Sequence, residues 1–347
     1  MRSLVRIASV LLAIPAALFF LFLLTGPGTW SGMAYALALL TLTVAGASLG
    51  KKWAPRLAGA GAVLLVATML LRVVTAASGN ALVMRTGTTP GARVANRLLD
   101  EEDLSVSAAR TIKMTHFMHD PDVEVLPEEM SAGYQRMRAE QGDAPSPVVA
   151  TYLGLQSRTA YDDLEVGDVD AASGVVIFLH GWAGSFSLPC WEVSRAATRV
   201  GMATVCPATR WVGDWWSPEG EAIVRSVVND LHARGQKHLV LAGLSNGGIG
   251  GSLLVTRFPG TFEGFIAISG ASPQATSPGI PVLCIQGKRD AQIPASIAFA
   301  YATRSGGKYV EWDAGHFVLL LKEDLVVDAM ASWLGARPGA RKVVAAQ

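Results

Sequence analysis

The chain has 347 residues, half of them apolar, and its 29 basic and 28 acidic side chains leave a net charge of +1. That length admits one large domain or two small ones. No basic stripe runs along it, which excludes nucleic acid as a partner.

The apolar excess sits at the N-terminus. No charged residue occurs from Ile7 to Gly50, a stretch too long for one membrane helix of about 20 residues. The break TGPGTWSG, with Gly26, Pro27 and Gly28, divides it into spans at about 5–24 and 30–49. A third apolar segment, at about 57–77, follows KKWAPR and carries one charge, Arg72, placed to snorkel to the interface. A signal peptide with Arg2 and Arg6 as its basic region and Ala34-Tyr35-Ala36 as its cleavage site is the competing reading. The apolar run is too long for that, and further apolar segments follow. Residues 1–78 are therefore expected to hold about three transmembrane helices, with the lipid bilayer as partner.

Basic residues set the orientation. Arg2 and Arg6 precede the first span, and Lys51, Lys52 and Arg56 lie between the second and third. An integral membrane protein with everything after residue 78 on the non-cytoplasmic side is expected. Residues 1–78 hold six basic and no acidic side chains, which leaves 23 basic against 28 acidic residues beyond them.

Residues 79–146 read as a tether, 79–99, followed by a helical extension. In LPEEMSAGYQRMRAE, residues Leu126, Met130, Tyr134 and Met137 share one helical face, and Pro127 suits a first turn. GDAPSPV reads as a linker. From 147 to 335 short apolar runs alternate with helical patterns: 148–155, 175–181, 202–209, 238–244, 262–270, 280–287 and 308–314. This predicts an α/β fold, a mostly parallel sheet flanked by helices. In SPEGEAIVRSVVNDLHARG, Ser217 caps a helix, Pro218 starts it, Ile223, Val227 and Leu231 form its stripe, and Gly235 ends it. Residues 336–347 form a tail.

One short stretch carries chemistry. In LAGLSNGGIGG, Gly243-Leu244-Ser245-Asn246-Gly247 matches G-x-S-x-G between an apolar strand and a small-residue helix. A nucleophilic serine on such a bend needs glycines beside it for close approach of strand and helix. A phosphate loop is excluded because no lysine follows the glycines, and the dinucleotide pattern does not align. A base and an orienting acid follow in order: Asp290 in KRDAQIP, past one strand, and His316 in DAGHF, past the next. All three fall at the carboxyl ends of parallel strands, at one edge of the sheet.

These elements resemble the α/β-hydrolase family over roughly 147–335, with GLSNGG similar to its nucleophile elbow, GKRDAQIP to its acid loop and DAGHF to its histidine loop. HGWAGS, after VVIFL, is similar to its oxyanion segment. The resemblance implies Ser245, Asp290 and His316 as a catalytic triad, and the backbone N–H groups of Trp182 and Asn246 as the oxyanion hole. It implies a serine hydrolase that cleaves a small acyl ester or thioester through an acyl-serine, with no cofactor and no metal. An acyltransferase with the same triad and a non-catalytic binding module of this fold are the rival readings.

Other residues carry alternatives. Asp214 competes with Asp290 as the acid, whereas Asp313 lies too close in sequence to His316. His180 is expected to pack locally. His116 and His119 lie three apart with no third ligand near, so no metal site is expected. Five of the nine tryptophans fall between 182 and 216, and Trp211, Trp215 and Trp216 are candidates for an aromatic substrate wall or for ordinary packing. No separate cap lies between elbow and acid loop, so the site is open unless residues 100–145 fold over it. Cys190 and Cys206 can form a disulfide if the domain lies outside the cytoplasm. Cys284 reads as a small buried hydrophobe.

Overall fold

The computed structural model describes residues 2–24, 28–76, 79–87, 90–156 and 161–341. The break at Gly26 and Pro27 and the second half of the 336–347 tail lie outside the described residues. Three helices come first: α1 (Arg2–Leu24), α2 (Trp30–Ala47) and α3 (Ala54–Thr75). The last two are long and apolar enough to cross a membrane, while the apolar stretch of the first is the shorter Ser3–Leu18. The Ala34-Tyr35-Ala36 segment lies inside α2.

Then follow β1 (Leu82–Thr86), α4 (Pro90–Leu98), α5 (Glu101–Thr115), a 3-10 turn (Pro121–Glu124), α6 (Leu126–Gln141), α7 (Val148–Tyr152), β2 (Asp162–Val166) and β3 (Val175–Leu179). The chain continues through α8 (Ser187–Thr198), β4 (Ala203–Pro207), α9 (Pro218–Ala233), β5 (Leu239–Leu244) and α10 (Asn246–Arg257). It ends in β6 (Phe265–Ile268), β7 (Val282–Gly287), α11 (Ala295–Arg304), β8 (Lys308–Trp312), α12 (Val318–Leu321) and α13 (Glu323–Leu334). The sheet order is β1-β2-β4-β3-β5-β6-β7-β8. Only β1–β2 and β2–β4 pair antiparallel; every other pair is parallel.

The central strands β3, β5, β6 and β7 are mostly apolar and buried because helices cover both faces. Phe178, Val240, Ile266 and Ile285 join one core with Trp191 of α8, Tyr134 of α6 and Met330 of α13. Their alternates Ile177, Leu241, Phe265 and Cys284 join the other with Val227 of α9, Leu254 of α10 and Tyr301 of α11. This is the period of two expected along a strand. Helix α9 has the caps its sequence demands: the Ser217 hydroxyl accepts the Gly220 N–H at 3.1 Å, and Gly235 beyond the end has a φ of +85°.

Three sequence expectations change. Residues 79–99 are not a tether, since β1 is an edge strand of the sheet and α4 packs on α3 and α7. The run 148–155 contains no strand. Pro147 enters a short helix there, and the Ala150 N–H is taken by the Asn96 side chain at 2.7 Å. Strand β2, DDLEV, carries too much acid to read as a strand. Leu164 and Val166 face the core, while Glu165 pairs with Arg85 at 3.0 Å and with Arg234.

Arg72 also departs from expectation. It is 1% exposed and, instead of snorkelling to an interface, pairs with Asp143 and Asp100 below the sheet domain. At the same end the Thr29 N–H donates to Asp103 at 2.8 Å and the Tyr35 hydroxyl to the Leu98 carbonyl at 2.6 Å. At the opposite end Arg6 donates to the Leu49 carbonyl, so the N-terminus lies beside the KKWAPR loop.

Candidate active site

The end of β5 makes the bend that G-x-S-x-G requires. Ser245 has φ 53° and ψ −115°, a region non-glycine residues occupy only under constraint. The constraint is contact. A Cβ on Gly247 would run into the Leu179 carbonyl, and one on Gly243 into the Gly247 carbonyl. Strand and helix meet here at a distance only glycine permits. Ser245 stands half-buried at the start of α10, where the helix N-terminus favours developing negative charge.

The loops after β7 and β8 bring the acid and the base. His316 Nε2 lies 3.0 Å from Ser245 Oγ, and His316 Nδ1 lies 2.9 Å from Asp290 Oδ2. The Asp290 side chain is wholly buried. Its other oxygen accepts the N–H groups of Gln292 and Ile293 at 2.8 and 2.9 Å, and Gln286 Nε2 donates to Oδ2 at 2.7 Å. A carboxylate so solvated by fixed donors holds an imidazole in one orientation. The rivals are elsewhere: Asp214 pairs with Arg210, and Asp313 pairs with Arg289 at 2.6 Å.

After β3, HGWAGS turns sharply, with Ala183 at φ +80° and Gly184 at +111°. Gly181 sits against Ser245, 3.2 Å from its Cβ in the position a side chain would take. The N–H groups of Trp182 and Asn246 donate to no other group among the described residues. His180 packs locally, as its place before the turn suggests. It is fully buried, accepts the Thr209 N–H at Nε2 (3.1 Å) and bonds the Gly181 carbonyl through Nδ1 (2.7 Å). Burial holds its pKa down at about 4, so the ring is neutral.

Residues 100–145 do cover the site. A cavity of about 220 Å³ runs from Ser245 and His316 beneath α5 and α6, walled by Ile112, Met130, Leu188 and Leu320 among others. Of the tryptophans, Trp182 lines it. Trp215 is fully buried instead, its Nε1 donating to the His180 carbonyl at 2.8 Å. Trp211 stacks edge-on against Trp182 at 5.5 Å, and Trp216 lies in a separate surface groove beside Arg225 and Arg257. Trp211, Trp215 and Trp216 therefore do not wall this cavity. Trp215 packs against Gly250 and supports the HGWAGS turn from behind.

Two carboxylates without a sequence signature complete the site. Asp122 accepts the N–H groups of Gly315 and Phe317 at 2.8 and 3.2 Å, and Asp120 accepts that of His316 at 2.8 Å. Asp122 lies in the 3-10 turn between α5 and α6, Asp120 caps that turn, and both are buried. The extension that roofs the cavity thus also holds the histidine loop. Cys190 and Cys206 are joined by a disulfide with Cα atoms 6.1 Å apart, and Cys284 is free and buried. His116 and His119 are both exposed.

No family model matches this chain, and no curated protein matches it. Solved structures similar to it include Est1E from Butyrivibrio proteoclasticus, 16% identical with a TM-score of 0.44, over 51% of this chain and 93% of that one. A CIB-like hydrolase from Thermoplasma acidophilum is 18% identical with a TM-score of 0.43, over 50% and 92% of the two chains. The carboxylesterase CesB from Bacillus subtilis is 18% identical with a TM-score of 0.42, over 51% and 88%.

Proposed function

We propose that this protein is a membrane-anchored serine hydrolase of the α/β-hydrolase type, cleaving an ester or thioester through an acyl-serine. The reading rests on one observation, the continuous Ser245–His316–Asp290 contact at 3.0 and 2.9 Å on a strained serine bend. His316 takes the Ser245 proton as Oγ attacks the carbonyl carbon, and the carbonyl oxygen becomes an oxyanion. The N–H groups of Trp182 and Asn246 stabilise it, each donor of this kind being worth on the order of 3–4 kcal/mol. Collapse of the adduct expels the alcohol or thiol, protonated by His316. Water, giving its proton to His316, then attacks the acyl-serine and releases the acid and the free serine. The apolar cavity receives the acyl part.

A fluorophosphonate probe tests this directly. The wild type is expected to be labelled and to turn over a p-nitrophenyl ester, and Ser245→Ala to do neither. Labelling retained in Ser245→Ala, or absent from a folded wild type, overturns the assignment.

A further inference from the structure

One side chain breaks the apolar wall of the cavity. Glu192 is 1% exposed and lies on α8 one turn beyond Leu188, lining the cavity with it. Its Oε1 is buried without a hydrogen-bond partner, and no bond or ion pair reaches the carboxyl among the described residues. The nearby cations are already engaged: Arg136 bonds Glu323 at 2.6 Å, and Arg195 bonds the other Glu323 oxygen. Burial, with the Glu323 charge beside it, holds the Glu192 acid well above the usual carboxylate range.

Glu101 is a useful contrast. It is also buried, yet the Ser187 N–H reaches its two oxygens at 2.9 and 3.0 Å and the Ser187 hydroxyl bonds it as well. A buried acid in this protein is ordinarily satisfied from within, so an orphan facing the substrate cavity calls for a partner from outside the chain. An uncharged carboxyl both donates and accepts, which matches a hydroxyl best and a carbonyl next. Glu192 stands five residues past the start of α8, about 8 Å along the helix, and α8 itself begins just after the oxyanion turn. Glu192 and Ser245 line the same cavity and no hydrogen bond ties Glu192 to the Ser245–His316–Asp290 contact, so the complementary oxygen belongs to the acyl chain rather than to the scissile carbonyl.

Building on the hydrolase reading, we infer that Glu192 is a specificity-determining residue and that the substrate is an ester whose acyl chain carries a mid-chain hydroxyl or oxo group. A plain alkyl chain leaves the carboxyl orphaned inside the complex.

The test compares p-nitrophenyl esters of a medium-chain fatty acid with and without a mid-chain hydroxyl. The wild type is expected to favour the hydroxylated ester by about tenfold in kcat/KM, the range of one buried hydrogen bond. Glu192→Leu is expected to abolish or reverse that preference, and Glu192→Gln, which keeps a donor and an acceptor, to retain it. If Glu192→Leu does not fold, Glu192→Met is measured in its place. Equal use of both esters by the wild type, or an unchanged preference in Glu192→Leu, overturns the inference while leaving the triad intact. Turnover of neither ester overturns the hydrolase reading itself.

Discussion

His180 precedes the HGWAGS turn and shows how a residue beside the proposed site can serve by packing alone. The ring is used up: one nitrogen accepts from Thr209, the other bonds Gly181, and the ring packs edge-to-face with Trp215, centroids 5.1 Å apart. Burial disfavours the charged ring, hence a pKa of about 4. The sign of its effect follows from linkage. Above about pH 6.5 the ring is neutral in both folded and unfolded chains and has no pH-dependent effect. As pH falls from there towards 4, only the unfolded chain takes up the proton, so the folded state loses stability, by as much as about 3 kcal/mol. Buried acids such as Asp163, pushed up to about 8, act with the opposite slope over part of that range, so a difference measurement is required. The gap in Tm between the wild type and His180→Gln is expected to shrink between pH 7 and pH 4.5. A constant gap would show that His180 titrates normally.

Among the elements, local rules account for what was legible. Helix α9 announced itself through Ser217, Pro218 and its Ile223–Val227–Leu231 stripe, because a cap and a 3.6-residue period are local facts. The juxtaposition of Ser245, Asp290 and His316 followed from three strand ends in order, because parallel strands bring their carboxyl ends together. Strands β1 and β2 were hidden for a physical reason: they pair residues some 80 positions apart, as Arg85 with Glu165 illustrates, and β2 buries acids that only a distant arginine makes tolerable. The role of Asp120 and Asp122 was equally invisible, since a carboxylate that holds another loop's N–H groups leaves no spacing pattern.

That role predicts a kinetic signature. Asp122→Ala frees the Gly315 and Phe317 N–H groups and lets the His316 loop drift. It is expected to lower kcat about tenfold or more with KM nearly unchanged, the scale of lost charge-assisted bonds. Asp122→Asn, whose amide oxygen still accepts, should recover most of kcat. A purely structural role would instead lower Tm in the Ala variant while leaving kcat per folded molecule intact.

At the scale of the whole molecule, three features converge on one arrangement. The basic residues Arg6, Lys51, Lys52 and Arg56 gather at the end of the helical hairpins remote from the sheet domain, and positive charge is retained on the cytoplasmic side. Arg72, Asp100, Asp103 and Asp143 dock the other end of the helices onto the α4–α6 region, so the roof over the cavity rests on these helices. Cys190 and Cys206 close a loop of 16 residues, a bridge worth about 3 kcal/mol that persists only in an oxidising compartment. Together these support the proposal that the sheet domain lies outside the cytoplasm, against the membrane. In sealed, right-side-out vesicles an added protease should cut the domain while the protein stays in the membrane fraction after alkaline carbonate washing. Non-reducing peptide mapping of the same material should find Cys190 linked to Cys206 and Cys284 free, with Cys284 alkylated only after denaturation because it is buried. Protection from the protease together with two alkylatable thiols at 190 and 206 would reverse the orientation, and the substrate would then have to be sought on the cytoplasmic face.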